Sequence, residues 1–162
     1  MIDQCDIEII SGKGGNGAVT GRRSRHVPSG GPDGGNGGDG GNVIFVCSDG
    51  INTLLPFQYK KRITAPGGGN GGGSLKHGRN GEDIEIDLPV GTEVRVRGGD
   101  TELLADLTAA GESVVAARGG RGGRGNASFK SATNRFPLLA EEGESGTRLD
   151  LTLELKLLAD VG

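Results

Sequence analysis

The chain has 162 residues and a mass of 16.5 kDa, room for one domain, with 34 glycines, 33% hydrophobic residues, 3% aromatics and no Trp. Its longest apolar run, Val43 to Cys47, falls far short of the ~20 residues of a membrane helix, and Met1-Ile2-Asp3-Gln4-Cys5-Asp6 lacks the basic start and apolar stretch of a secretory signal. The net charge is only −3, and Cys5, Cys47, His26 and His77 share no disulfide or zinc spacing, so buried, inert thiols in a reducing, cytoplasmic setting are expected.

In chain order, Asp6-Ile7-Glu8-Ile9 alternates with the period of two that marks a half-buried strand. Residues 11–41 follow, with 13 glycines. Within them Gly12-Lys13-Gly14-Gly15-Asn16-Gly17 matches GxGxxG, but Ala18-Val19-Thr20-Gly21-Arg22-Arg23 cannot supply the helix a dinucleotide site needs. Gly34-Gly35-Asn36-Gly37-Gly38-Asp39-Gly40-Gly41-Asn42 has a period of three. A polyproline II helix has three residues per turn, so two of its side-chain columns are empty here and neighbouring backbones can approach closely. Ordered, extended segments are therefore expected where glycine content alone suggests a linker. The filled column holds Asn36, Asp39 and Asn42, and glycine N–H groups beside it offer donors to a phosphate. Val43 to Cys47 reads as a more deeply buried strand, and 58–81 is a second glycine-rich stretch. Residues 84–88 and 93–97 alternate again and read as paired strands joined through the turn Pro89-Val90-Gly91-Thr92. Leu103 to Ala110 is the one stretch with a helical alternative. Ser113 to Ala117 is another short strand, and 118–136 is the third glycine-rich stretch, with Arg121 and Arg124 in its filled column. Glu141, Glu142 and Glu144 around Gly143 read as a solvated turn. Leu149, Leu151, Leu153, Leu155 and Leu157 fall on one face of a last strand. The whole reads as all-β, a sandwich or squashed barrel that carries the glycine-rich segments.

Charge divides along the same lines. Segments 11–41, 58–81 and 118–136 hold 14 basic residues and two acidic ones, so they sum to +12, while the remainder sums to −15. Arginine on a rigid glycine surface suits phosphate, which guanidinium binds bidentately, and an RNA-binding surface is the expectation. With few aromatics to stack bases, recognition would run through shape and phosphate contacts. A protein-interaction module is the alternative, and salt dependence separates the two. No Walker A loop, GxSxG, HExxH or EF-hand pattern occurs, so no catalytic centre is expected in this stretch.

The motif Gly30-Gly31-Pro32-Asp33-Gly34-Gly35-Asn36-Gly37-Gly38-Asp39-Gly40-Gly41, with Leu104-Ala105-Asp106-Leu107-Thr108, the run from Ala117 to Asn126 and the closing Leu153 to Gly162, resembles the amino-terminal domain of Obg GTPases. The resemblance spans Asp3 to Gly162 and implies that 1–162 has the Obg fold, a β base carrying a bundle of glycine-rich polyproline II helices. It further implies a GTPase domain after residue 162, with GTP and Mg bound there and no cofactor in this fragment. The partners it implies are the large ribosomal subunit and its rRNA, the attached GTPase domain and stringent-response proteins, with no integral membrane segment. The alternative it leaves is a module that regulates the GTPase or an alarmone-handling partner. Carried onto this sequence, the RNA-contacting loop tips would hold Arg22, Arg23, Arg25, Lys76, Arg79, Arg121, Arg124, Lys130 and Arg135. Gly21 and Ser24 depart from the family pattern, which has an aromatic residue and a Glu before the final basic residue.

Overall fold

The computed structural model describes residues 3–21, 31–98 and 102–156. Its strands are β1 (Asp3–Ile10), β2 (Val43–Ser48), β3 (Arg62–Thr64), β4 (Ile84–Pro89), β5 (Thr92–Val96), β6 (Glu102–Leu107), β7 (Ser113–Ala117) and β8 (Arg148–Leu155). A single helical turn, α1 (Pro56–Tyr59), and a 3-10 turn at Asn126–Phe129 complete the regular elements among the described residues. The strands form two sheets, one in the order β3-β1-β8-β5-β6 and one in the order β4-β2-β7.

One core lies between them. β1 contributes Cys5, Ile7 and Ile9, β8 contributes Leu151, Leu153 and Leu155, and the second sheet contributes Phe45, Cys47 and Leu88. Register holds the apolar faces together: Ile7 pairs with Leu151 and Cys5 with Leu153, so a one-residue slip would turn every leucine of β8 to water. Leu157 lies outside the described residues. Both cysteines are free and buried. Burial, with Asp3 and Asp6 nearby, pushes the Cys5 thiol up to about 11, and burial raises Cys47 as well, so neither is a thiolate at neutral pH.

One expectation needs correction. Strands 84–88 and 93–97 exist, and the chain does turn at Val90-Gly91, where Gly91 has φ +92°. They do not pair, however: β4 joins β2 in one sheet, while β5 joins β6 and β8 in the other. The turn carries the chain across the sandwich, because both strands have an apolar face and each can bury it against the opposite sheet. Of the two readings left open at 103–110, the strand holds for Glu102–Leu107. Leu107 is its buried residue, and its edge position leaves Leu103 half exposed.

The glycine-rich part continues this sandwich at one end. Six extended segments leave it: 11–18 and 33–42, 65–73 and 76–83, then 118–126 and 141–147. Segment one follows β1 and segment two enters β2; three follows β3 and four enters β4; five follows β7 and six enters β8. Each hairpin therefore rises from one sheet and returns to the other. Hydrogen bonds join segments in two rows, three-one-six and four-two-five, which repeat the strand orders β3-β1-β8 and β4-β2-β7.

Candidate nucleic-acid interface

Sheets that face each other across side chains lie ~10 Å apart, yet the two rows are hydrogen-bonded directly. Gly12, Gly15 and Ala18 of segment one donate to the carbonyls of Gly41, Gly38 and Gly35 in segment two, at 2.8 to 3.0 Å. Gly120 and Gly123 of segment five donate in turn to the carbonyls of Gly12 and Gly15 in segment one, at 2.8 and 2.9 Å. The gap closes only because no Cβ is present. A Cβ on Gly15 would stand 1.9 Å from the Gly69 carbonyl oxygen, and one on Gly37 would stand 2.0 Å from that of Gly15.

The filled columns complete the bonding. Oδ1 of Asn36, Asp39 and Asn42 accepts from the N–H of Gly125, Gly122 and Gly119 at 3.0, 2.8 and 2.7 Å. Asn80 and Asp83 accept in the same way from Asp39 and Asn42, and Asn16 accepts from Gly143. The Asn/Asp column is thus a ladder of acceptors for the N–H left over in each triplet. Its signal was in the sequence: every third residue of 34–42 is Asn or Asp, and both carry a short side-chain carbonyl. The glycine N–H groups expected to face phosphate are instead spent within the bundle.

Segment six was not anticipated. Glu141 and Glu144 form no solvated turn: their N–H groups donate to Arg124 and Arg121, and their carbonyls accept from Gly17 and Gly14. Gly143 and Gly146 sit where a Cβ would meet the carbonyl oxygens of Gly14 and Ser11 at 1.8 and 2.1 Å. Only two glycines mark this segment, because it touches two neighbours while the inner segments touch four.

At the far end the hairpins of segments three and four and of five and six close in tips 73–76 and 127–140, and residues 22–30, between segments one and two, lie outside the described residues. Buried Asn126 anchors the tip 127–140. Its Oδ1 accepts from Gly34 at 2.8 Å, and its Nδ2 donates to the carbonyls of Thr20 and Pro137 at 3.0 Å. The ring of Phe136 lies over Gly21, filling the space a side chain there would take. Ser74 and Leu75 both adopt φ near +60°, costly for non-glycine residues, and Leu75 N–H donates to the Asp33 carbonyl at 2.6 Å.

Of the nine basic residues expected at the tips, Arg22, Arg23 and Arg25 lie outside the described residues. Lys76, Lys130 and Arg135 are on tips and exposed. Arg79, Arg121 and Arg124 are exposed on the shafts of segments four and five, not on tips. Arg124 is already engaged: its guanidinium binds Glu141 at 2.9 and 3.3 Å and lies 4.7 Å above the Phe129 ring. That pairing holds the Glu141 carboxyl below the usual carboxylate range.

Pairing separates the two halves of the molecule. All four cations outside the glycine-rich stretches have acid partners: Arg95 and Lys156 on Glu93, Arg97 on Asp6, and Arg148 on Glu8 and Asp150. Within the stretches Arg62 pairs with Glu8 and Arg124 with Glu141. Among the described residues Lys13, Lys60, Lys61, Lys76, Arg79, Arg118, Arg121, Lys130 and Arg135 have none.

The family model for GTP1/OBG matches residues 2–157. The chain belongs to this family. It is 53% identical over 161 residues to GTPase Obg of Desulfitobacterium hafniense (strain DSM 10664 / DCB-2), a match that covers 99% of this chain and 38% of the relative. It is 50% identical over 162 residues to GTPase Obg of Geobacillus kaustophilus (strain HTA426), all of this chain and 37% of the relative. GTPase Obg of Persephonella marina (strain DSM 14350 / EX-H1) is 51% identical over 163 residues, 47% of its length. The chain thus spans less than half of these relatives. Its all-β architecture is the one expected of the family's glycine-rich domain. Nucleotide does not fit the glycine-rich loop here, since Gly12, Gly14, Gly15 and Gly17 already give their N–H groups to Gly41, Glu144, Gly38 and Glu141. No group of three or more His, Cys, Asp or Glu that could hold a metal occurs among the described residues. Nor is any described helix long and apolar enough to cross a membrane.

Proposed function

We propose that this domain is the non-catalytic, RNA-docking part of an Obg-type GTPase, and that it seats the enzyme on the large ribosomal subunit during assembly. The six segments are read as polyproline II helices, since their bonds repeat every third residue. GTP and Mg belong to the part of the relatives that this chain does not span, the setting is cytoplasmic, and the domain links to the stringent response. The observation that carries the reading is the charge at the tips. Lys76, Lys130 and Arg135 are exposed there without acid partners, and Arg22, Arg23 and Arg25 lie in sequence between segments one and two. Asp33, the nearest acid in sequence to Arg22, Arg23 and Arg25 on their C-terminal side, accepts a 2.7 Å hydrogen bond from Thr20. A rigid bundle with basic tips matches a folded RNA by shape and phosphate spacing, without base readout.

Co-sedimentation with purified large subunits at low and moderate salt tests it. Wild type should bind saturably, with affinity that falls steeply as salt rises through counterion release. The Lys76→Glu/Lys130→Glu/Arg135→Glu variant should stay folded and fail to bind. Undiminished binding by that folded variant would overturn the assignment of the tips.

A further inference from the structure

The outward face of the row four-two-five carries a groove distinct from the tips. Two cavities of about 550 and 450 Å³ adjoin along segment two and share Asp39 and Arg121. Segment two is the floor. Arg118, Arg121 and Arg124 of segment five rim one side at three-residue spacing, and His77, Asn80 and Asp83 of segment four rim the other.

Its chemistry is amide-like. Asn36, Asn42 and Asn80 each turn Oδ1 to a backbone N–H of the bundle. Their Nδ2 groups, two donors apiece, have no partner among the described residues. Asp39 and Asp83 each spend Oδ1 on the bundle and keep a second oxygen. Donors and acceptors therefore alternate along the floor and one wall. Charge is balanced too. Glu141 neutralises Arg124, which leaves Arg118 and Arg121 facing Asp39 and Asp83. With three carboxylates against three guanidiniums, the groove offers no net positive charge to hold a run of phosphates, so a polyanion is the wrong occupant. An extended polypeptide is the right one: its backbone makes no internal hydrogen bonds, and three residues advance ~9 Å, the repeat of the rims.

We propose that this groove binds an extended, zwitterionic peptide strand with a three-residue period. Acidic side chains would lie along Arg118 and Arg121, and basic ones along Asp39 and Asp83. Charge complementarity sets the register, while the peptide backbone bonds to the Asn/Asp ladder. The proposal is independent of RNA docking, because Lys76, Lys130 and Arg135 are not among the groove residues.

The probes are synthetic peptides made of four repeats of Glu-Lys-Pro and of Lys-Glu-Pro. The control has the same composition in three blocks, and a decauridylate tests the nucleic-acid reading. Binding is followed by NMR on the side-chain amide signals of Asn36, Asn42 and Asn80. At least one periodic peptide should bind saturably and shift those signals, and the block peptide should not. Arg118→Glu/Arg121→Glu should weaken binding by about tenfold or more, and Arg118→Gln/Arg121→Gln should weaken it less while preserving the amide spectrum of the fold. Equal binding of periodic and block peptides, no shift with either periodic peptide, or stronger binding of decauridylate in the groove would each overturn the proposal. Loss of subunit binding in the tip variant with peptide binding intact, or the reverse, keeps the two readings separable.

Discussion

A glycine in this bundle is defined by what lies where its Cβ would be. At Gly37 that is the Gly15 carbonyl oxygen at 2.0 Å and its carbon at 2.3 Å, both backbone and unable to swing away. Gly37→Ala should therefore destabilise the domain by about 3 kcal/mol or more, the upper range for overpacking. At Gly72 the nearest atoms are side-chain carbons of Lys76, the closest 3.6 Å away. Gly72→Ala should be neutral or stabilise by about 0.5 kcal/mol through the unfolded chain. Urea unfolding of the two variants beside wild type checks the pair, and similar midpoints would mean that the bundle is plastic. Asn126 is the complementary case, a buried side chain that satisfies three backbone groups at once. Asn126→Ala leaves Gly34 N–H and the carbonyls of Thr20 and Pro137 without it and should cost about 2 to 3 kcal/mol. The period of three at 34–42 made the close packing legible from sequence. The role of Asn126 was not, since its three partners lie 92, 106 and 11 residues away.

Among elements, legibility followed local repetition. The alternation of 149–155 named a strand and its buried face, and both are as expected. The partner of β4 was not legible, because alternation fixes which face is apolar but not which sheet the strand joins. Segment six was hidden for a related reason. An outer segment needs bare Cα atoms only toward its two neighbours, so Gly143 and Gly146 suffice and the glutamates between them read as solvent-facing. Glu141 makes its attachment pH-sensitive. Hydrogen bonds from the Arg124 side chain and backbone lower the Glu141 carboxyl, and Arg148 and Arg62 lower Glu8 beside the junction of segment and strand. Groups with a depressed folded pKa contribute stability that is present above their unfolded value, about 4.3, and lost as pH falls through the folded one. Glu141 is exposed and Glu8 is half-buried at the surface, so salt screens the effect, more at Glu141 than at Glu8. Melting temperature should fall below about pH 4.3, and Glu141→Gln should flatten part of that fall. An unchanged acid profile in that variant would show that Glu141 contributes nothing to the loss.

At the scale of the molecule, the bundle and the sandwich are one structure, because each glycine hairpin starts in one sheet and ends in the other. The inter-sheet gap is filled by side chains below and closed by glycine backbone above, and neither arrangement can open without pulling on strands of both sheets. Segment one illustrates this: Ser11 N–H donates to Thr147 of segment six, Ser11 Oγ donates to the Arg118 carbonyl of segment five, and Ser11 follows directly on β1, which pairs with β8 and β3. A flexible glycine-rich chain would exchange its amide hydrogens at close to the unprotected rate. Here Gly15, Gly37, Gly38 and Gly40 donate across segments at 2.8 Å, although the segments lie outside both helix and sheet. Their exchange should require the same opening free energy as the strand amides of Ile7 and Phe45, that of global unfolding, because no smaller unit can separate. Amides of the tips, such as Leu138 and Leu139, should exchange orders of magnitude faster. Native-state exchange at increasing urea distinguishes the cases: glycine and strand amides that merge into one isotherm would establish a single cooperative unit. Glycine amides that exchange through a separate, lower-energy opening would show instead that the bundle melts off an intact sandwich, and a docking surface that melts first would have to order itself again on its RNA partner at a cost in affinity.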